Sequence, residues 1–98
     1  MGFLHYDASA SFEFDDRLLS HLRTVIIGKL NLHENVVFTW NDDGKQHSLW
    51  LHPAMPIRFE FDSESPGELN PAWVELLFAL ANSPGGLRLA PEPEPHEA

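Results

Sequence analysis

The chain has 98 residues, 43% hydrophobic and 11% aromatic, with no cysteine, and fifteen acids against six Lys+Arg give a formal net charge of −9. That length suits one small domain with a single core, and the absence of cysteine excludes disulfides, thiolate zinc sites and a cysteine nucleophile. Glu92, Glu94 and Glu97 lie in the tail, which leaves twelve acids against six scattered bases; with no basic stripe, no direct binding of nucleic acid is expected. The start, MGFLHYDAS, lacks the basic and apolar regions of a secretory signal. No apolar run nears the roughly 18 residues of a membrane span. A cytoplasmic setting is the expectation, and it agrees with the cysteine-free composition.

Residues 2–7 and 11–14 alternate around DASA and read as a short hairpin, with Phe12 and Phe14 on one face and Glu13 on the other. Asp15 or Asp16 then caps a helix. Leu18, Leu22, Val25, Ile26, Lys29 and Leu30 form its apolar stripe, with Lys29 at the edge, and it ends near Asn31–His33. NVVFTWN (35–41) and QHSLWL (46–51) are strands joined by Asp43-Gly44, a strong two-residue turn signal. The turn sets Asn41 opposite Gln46, Phe38 opposite Leu49 and Val37 opposite Trp50. Val36, Phe38, Trp40, Leu49 and Leu51 then face inward, and Val37, Thr39, Ser48 and Trp50 outward. A slip of one residue destroys that agreement.

Residues 57–61 form the next strand, with Ile57, Phe59 and Phe61 inward. A tight return over 52–56, stiffened by Pro53 and Pro56, places Leu49 opposite Phe59 and Trp50 opposite Arg58. DSESPGEL (62–69) is a loop. Asn70 caps a second helix with Pro71 at its first position, and Trp73, Leu76, Leu77 and Leu80 line one face. Ser83-Pro84-Gly85-Gly86 stops it, and Leu87 and Leu89 suit a last short strand. APEPEPHEA closes the chain, so residues 1–90 form the domain and 91–98 a flexible Pro/Glu tail. The order β-β-α-β-β-β-α-β gives an α+β domain with a mostly antiparallel sheet and two helices on one face.

The exposed sheet face is the first candidate site. Trp50, Val37 and Thr39 lie on it, Arg58 and Glu60 rim it, His52 stands in the adjoining turn, and Tyr6 or Phe3 are further candidates. Exposed apolar patches mark interaction surfaces, and Trp and Arg are common anchors. The bland reading is an ordinary cross-strand stack of Trp50 on Arg58, or cover by the tail or the N-terminal strand.

The six histidines (5, 21, 33, 47, 52 and 96) show no H-x-x-x-H or H-E-x-x-H spacing, so solvated or turn-capping roles are expected and no metal. Asp15-Asp16 reads as a cap and Asp42-Asp43 as a turn, and DDGK lacks the alternating ligands of a calcium loop. No nucleophile elbow and no phosphate-binding glycine motif is present. No catalytic residue and no cofactor is expected.

The stretches FDDRLLSHLRTVIIGKL, VVFTW, SLWLHPAMPIRFEF, LNPAWVELLFALANSPGGL and the closing PEP resemble a family of small actinobacterial proteins of unknown function. The resemblance covers roughly residues 2–93. It is densest in the helix after DD, in the WLHP turn and in the N-x-AW…ANS-x-GGL segment. Members are frequently labelled ATP-dependent DNA ligase. A ligase adenylates a lysine within K-x-D-G in a much larger domain. The two lysines here stand in KLNL (Lys29) and KQHS (Lys45), and neither fits. The chain is therefore expected not to be an enzyme. It is expected to be a protein-binding or self-associating domain, in the simplest case a homodimer. The alternatives are an accessory module of DNA ligase or repair, as the label implies, or a small-molecule or metal-binding module.

Overall fold

The computed structural model describes residues 1–95. It contains β1 (Gly2–Tyr6), β2 (Ala10–Phe14), α1 (Asp16–Asn31), β3 (Val36–Asp42), β4 (Lys45–Leu51), β5 (Ile57–Glu60), α2 (Pro71–Ala81) and β6 (Leu87–Arg88). The fold class and element order are those expected from the sequence. Residues 96–98 of the expected tail, with His96 and Glu97, lie outside the described residues.

Local chemistry explains most of the elements. Asp15 caps α1 through its carboxylate, which accepts from the Leu18 N–H. Asn70 caps α2 through its side-chain oxygen, which accepts from the Ala72 N–H, with Pro71 at the first helical position. Each cap satisfies an amide donor that the helix cannot bond internally. Asp43 (φ 51°) and Gly44 (φ 75°) make the turn between β3 and β4, where positive φ at both central residues matches the twist of the strands. The resulting register places Asn41 opposite Gln46, Phe38 opposite Leu49 and Val37 opposite Trp50, as read from the turn. Val36, Phe38, Trp40, Leu49 and Leu51 are all buried.

The sheet arrangement differs from the expectation. There are two three-stranded sheets, ordered β2-β1-β5 and β4-β3-β6. β5 does not return along β4; it pairs antiparallel with β1, so Leu4 opposes Phe59 and His5 opposes Arg58. Residues 52–56 are thus a crossover between sheets rather than a hairpin. The Met55 N–H bonds the His52 carbonyl, and the Asp7 N–H bonds the Pro56 carbonyl, which fixes the crossover to the end of β1. The inward faces of Ile57 and Phe59 are the same in either arrangement, because alternation specifies a face and not a neighbour.

β6 lies parallel to β3, with Phe38 opposite Leu87 and Thr39 opposite Arg88. Gly86 (φ +79°) permits this approach, since a Cβ there would stand 2.7 Å from the Val37 carbonyl oxygen. α1 packs against α2 and reaches both β1 and β3. Leu4, Leu22, Ile26, Phe38, Leu51 and Leu77 are fully buried in one continuous core. Burial of each such side chain contributes about 1.5–3 kcal/mol.

Lys29 is buried rather than set at the edge of the stripe. Its amine pairs with Glu34 at 2.7 Å and donates to the Asn82 side chain. The chain beyond β6 is held as well. The Trp73 indole N–H donates to the Ala90 carbonyl at 3.0 Å. Arg17 forks onto Glu92 at 2.6 and 2.7 Å, and Asn70 donates to both Glu92 and the Pro93 carbonyl at 3.0 Å. The first residues of the expected flexible tail therefore form a strap across the starts of α1 and α2.

Candidate functional site: the open face of the β4-β3-β6 sheet

Strand alternation carries Val37 and Thr39 of β3 and Ser48 and Trp50 of β4 to the side of the sheet away from the core. Trp50 stands opposite Val37, and Thr39 opposite Ser48. Trp50 is 55% exposed and Val37 is half-buried. Thr39 is on the expected face but is only 6% exposed, a correction to its expected openness. It sits on the central strand, flanked by both neighbours, and its hydroxyl bonds the Ser48 hydroxyl at 2.8 Å.

Arg58 is not part of this surface. It lies exposed on β5 in the other sheet, 3.6 Å from Glu60, so the expected pairing of Trp50 with Arg58 does not form. The arginine of the open face is Arg88, exposed on β6 beside Thr39. The sequence predicts a short strand around Leu87 and Leu89 but not its place beside β3, because alternation over so few residues specifies no neighbour. His52 is half-buried beside Trp50 in the chain, and its carbonyl bonds the Met55 N–H at 2.9 Å.

Among the described residues, neither expected cover occupies the face. The strap of Ala90–Pro93 runs over the helix starts. The N-terminal strand approaches at one point, where the Tyr6 hydroxyl donates to the Trp50 carbonyl at 3.1 Å. Tyr6 is thus a neighbour of the Trp50 backbone, whereas Phe3 belongs to the outer side of the other sheet and stacks on His5.

That other outer side carries a set of residues that sequence spacing did not bring together. His5 Nε2 lies 2.8 Å from Glu60 Oε1, and His5 Nδ1 lies 2.6 Å from Ser11 Oγ. A carboxylate only accepts, so Nε2 donates, and in the neutral ring Nδ1 then accepts from the serine hydroxyl. The chain of bonds staples β2, β1 and β5 across the sheet. Once Ser11 is known to oppose His5 in the hairpin, half of it is foreseeable; Glu60 is not, because it arrives with the crossover.

A third polar cluster is internal. Buried His21 accepts at Nε2 from the Asn70 N–H at 2.8 Å, which leaves Nδ1 as the donor to the Arg17 carbonyl at 2.7 Å. Its ring lies 4.5 Å from that of Trp73. Glu92 completes the cluster: the Arg17 guanidinium, and then the Asn70 amide, hold its carboxyl down to about 2. Among the described residues no three His, Asp or Glu side chains converge as metal ligands, and no enclosed cavity is found.

These features define a small α+β domain with two three-stranded sheets, each with an outer face, and no helix long and apolar enough to cross a membrane among the described residues. The chain belongs to the family described as Domain of unknown function (DUF7882), whose model matches residues 1–92. The match includes Glu92 and so most of the strap. No curated protein and no solved structure matches the chain.

Proposed function

We propose that this is a non-catalytic protein-binding domain that engages protein, a second copy of itself included, through the open face of the β4-β3-β6 sheet. The observation that carries the reading is Trp50, a tryptophan more than half exposed near the end of β4, opposite Val37. Val37 extends its apolar surface, and Thr39, Ser48 and Arg88 supply polar groups around it. Burying a residue of this size at an interface contributes more than any other side chain on the face, and Trp and Arg are typical anchors. A cysteine-free acidic chain suits the cytoplasm as the place where this occurs.

Light scattering over a range of concentration tests it. The wild-type chain is expected to move toward the dimer mass as concentration rises. Trp50→Ala is expected to stay monomeric while melting within a few degrees of wild type, since an exposed side chain contributes little to the core. Equal association of both chains overturns the reading, and so does a wild type that remains monomeric throughout.

A further inference from the structure

The sheets have four edge strands among the described residues, β2, β5, β4 and β6. Natural edges are blunted by shortness, charge or proline. β6 has two residues; β5 has four, with Arg58 and Glu60 among them; β2 has five and carries Glu13. β4 has seven residues, KQHSLWL, with its single charge, Lys45, at the turn end. It is the long, unblunted edge of the molecule.

The register shows which of its backbone groups are free. A two-residue turn is closed by a hydrogen bond between its flanking residues, here Asp42 and Lys45. Bonded and non-bonded pairs then alternate along the ladder. The pairs of Asn41 with Gln46, Thr39 with Ser48 and Val37 with Trp50 are therefore non-bonded, and Gln46, Ser48 and Trp50 turn their N–H and C=O groups outward. All three residues are exposed. The Tyr6 hydroxyl on the Trp50 carbonyl agrees with this, because a donor from outside the sheet reaches that oxygen at the edge.

We infer that β4 pairs antiparallel with β4 of a second copy, about a two-fold axis at His47, to make a continuous six-stranded sheet. This rests on the reading that the Trp50 face binds protein, and it names the partner and the register. Tyr6 selects the register. An axis at Ser48 would pair Gln46 with Trp50 of the second copy and call on the carbonyl that Tyr6 already holds. An axis at His47 instead pairs Gln46 with Ser48 of the second copy, and Ser48 with its Gln46, each exchanging both N–H···O bonds. Trp50 then falls opposite Gly44 of the second copy, a turn residue that precedes β4, so the strand pairing ends short of the carbonyl that Tyr6 holds, and a Cβ at Gly44 would meet open space. An aromatic side chain across from a glycine is a favourable cross-strand arrangement. Both tryptophans lie on the shared open face.

Two variants test it, with the Trp50→Ala measurement as reference. Proline at an edge position whose N–H points outward leaves the parent sheet intact but cannot donate to a new strand. Gln46→Pro is expected to fold and to be monomeric, while Gln46→Ala associates as wild type. For register, the chain has no cysteine of its own. His47 lies opposite its symmetry mate in a non-bonded pair, with Cα atoms about 4.5 Å apart, inside disulfide range. His47→Cys is expected to give a covalent dimer under mild oxidation, at least tenfold faster than Ser48→Cys. Because His47 stacks on Trp40 at 5.0 Å, a mixture of Gln46→Cys and Ser48→Cys chains serves as a second probe. The mixture is expected to cross-link faster than either chain alone. Faster cross-linking of Ser48→Cys by itself overturns the register. Undiminished association of Gln46→Pro with loss in Trp50→Ala overturns edge pairing but leaves the Trp50 face as the binding surface. A wild type that never associates overturns both.

Discussion

His21 shows how one buried side chain can hold two helices in register. Its ring nitrogens take one bond from each helix start: Nδ1–H goes to the Arg17 carbonyl of α1, and Nε2 receives the amide of Asn70, the cap of α2. Trp73 closes over the ring. His21→Ala removes the packing against Trp73 and strands the buried Asn70 N–H. Cavity formation and an unsatisfied donor each cost in the range of 1–3 kcal/mol, so a loss of about 2–4 kcal/mol is expected. In a domain of this size that lowers the melting temperature by about 10 °C or more, as a thermal melt followed by circular dichroism would record. A shift under about 3 °C would mean that water substitutes for the ring. The sequence leaves His21 among the histidines expected to be solvated or turn-capping, and its full burial corrects that expectation. The sequence cannot show that Nε2 meets an amide 49 residues away.

Elements whose signals are local were readable, and those fixed by distant partners were not. The two helices carry their own caps, and the β3–β4 hairpin carries its own turn, so their limits and register follow from a few adjacent residues. The same turn put Trp50 and Val37 on the open face. β5 had the right inward residues but the wrong neighbour, because two prolines in 52–56 redirect the chain without saying where to. Arg58 was lost from the site for that reason, and Arg88 entered because the expected last strand pairs with β3, a neighbour that its few residues do not specify. The strap is the clearest case: PEPEP composition reads as extended chain, yet Glu92 is held by Arg17 from 75 positions away. Its carboxyl lies well below the usual value of 4.5, at about 2, chiefly through the hydrogen bonds from Arg17 and then Asn70. A carboxyl depressed in the folded state adds stability that is fully present above its unfolded value and vanishes as pH falls through the folded one. Glu92→Gln is therefore expected to be less stable than wild type at pH 6, with the gap narrowing from about pH 4.5 downward and closing near 2. Urea denaturation of both chains across that range measures it. A gap that stays constant with pH would show that Glu92 acts by shape rather than charge.

At the scale of the whole molecule, charge and the proposed contact oppose each other. Each copy carries a formal −9, so bringing two together costs electrostatic work over the entire surface. The β4 edge itself adds only Lys45 to that balance. Strand pairing and Trp50 burial are short-ranged and nearly indifferent to salt, whereas the repulsion is long-ranged and screened, with a Debye length of about 10 Å at 0.1 M. Association is therefore expected to tighten as salt rises, by several-fold between about 20 and 200 mM. Sedimentation equilibrium in sodium chloride at these concentrations measures the trend. A contact built on ion pairs would weaken with salt, and so would binding to a polyanion such as nucleic acid, where displaced counterions set the slope. The sign of the salt dependence alone thus separates an edge-and-tryptophan contact, made against the molecule's own charge, from any surface whose binding is driven by charge.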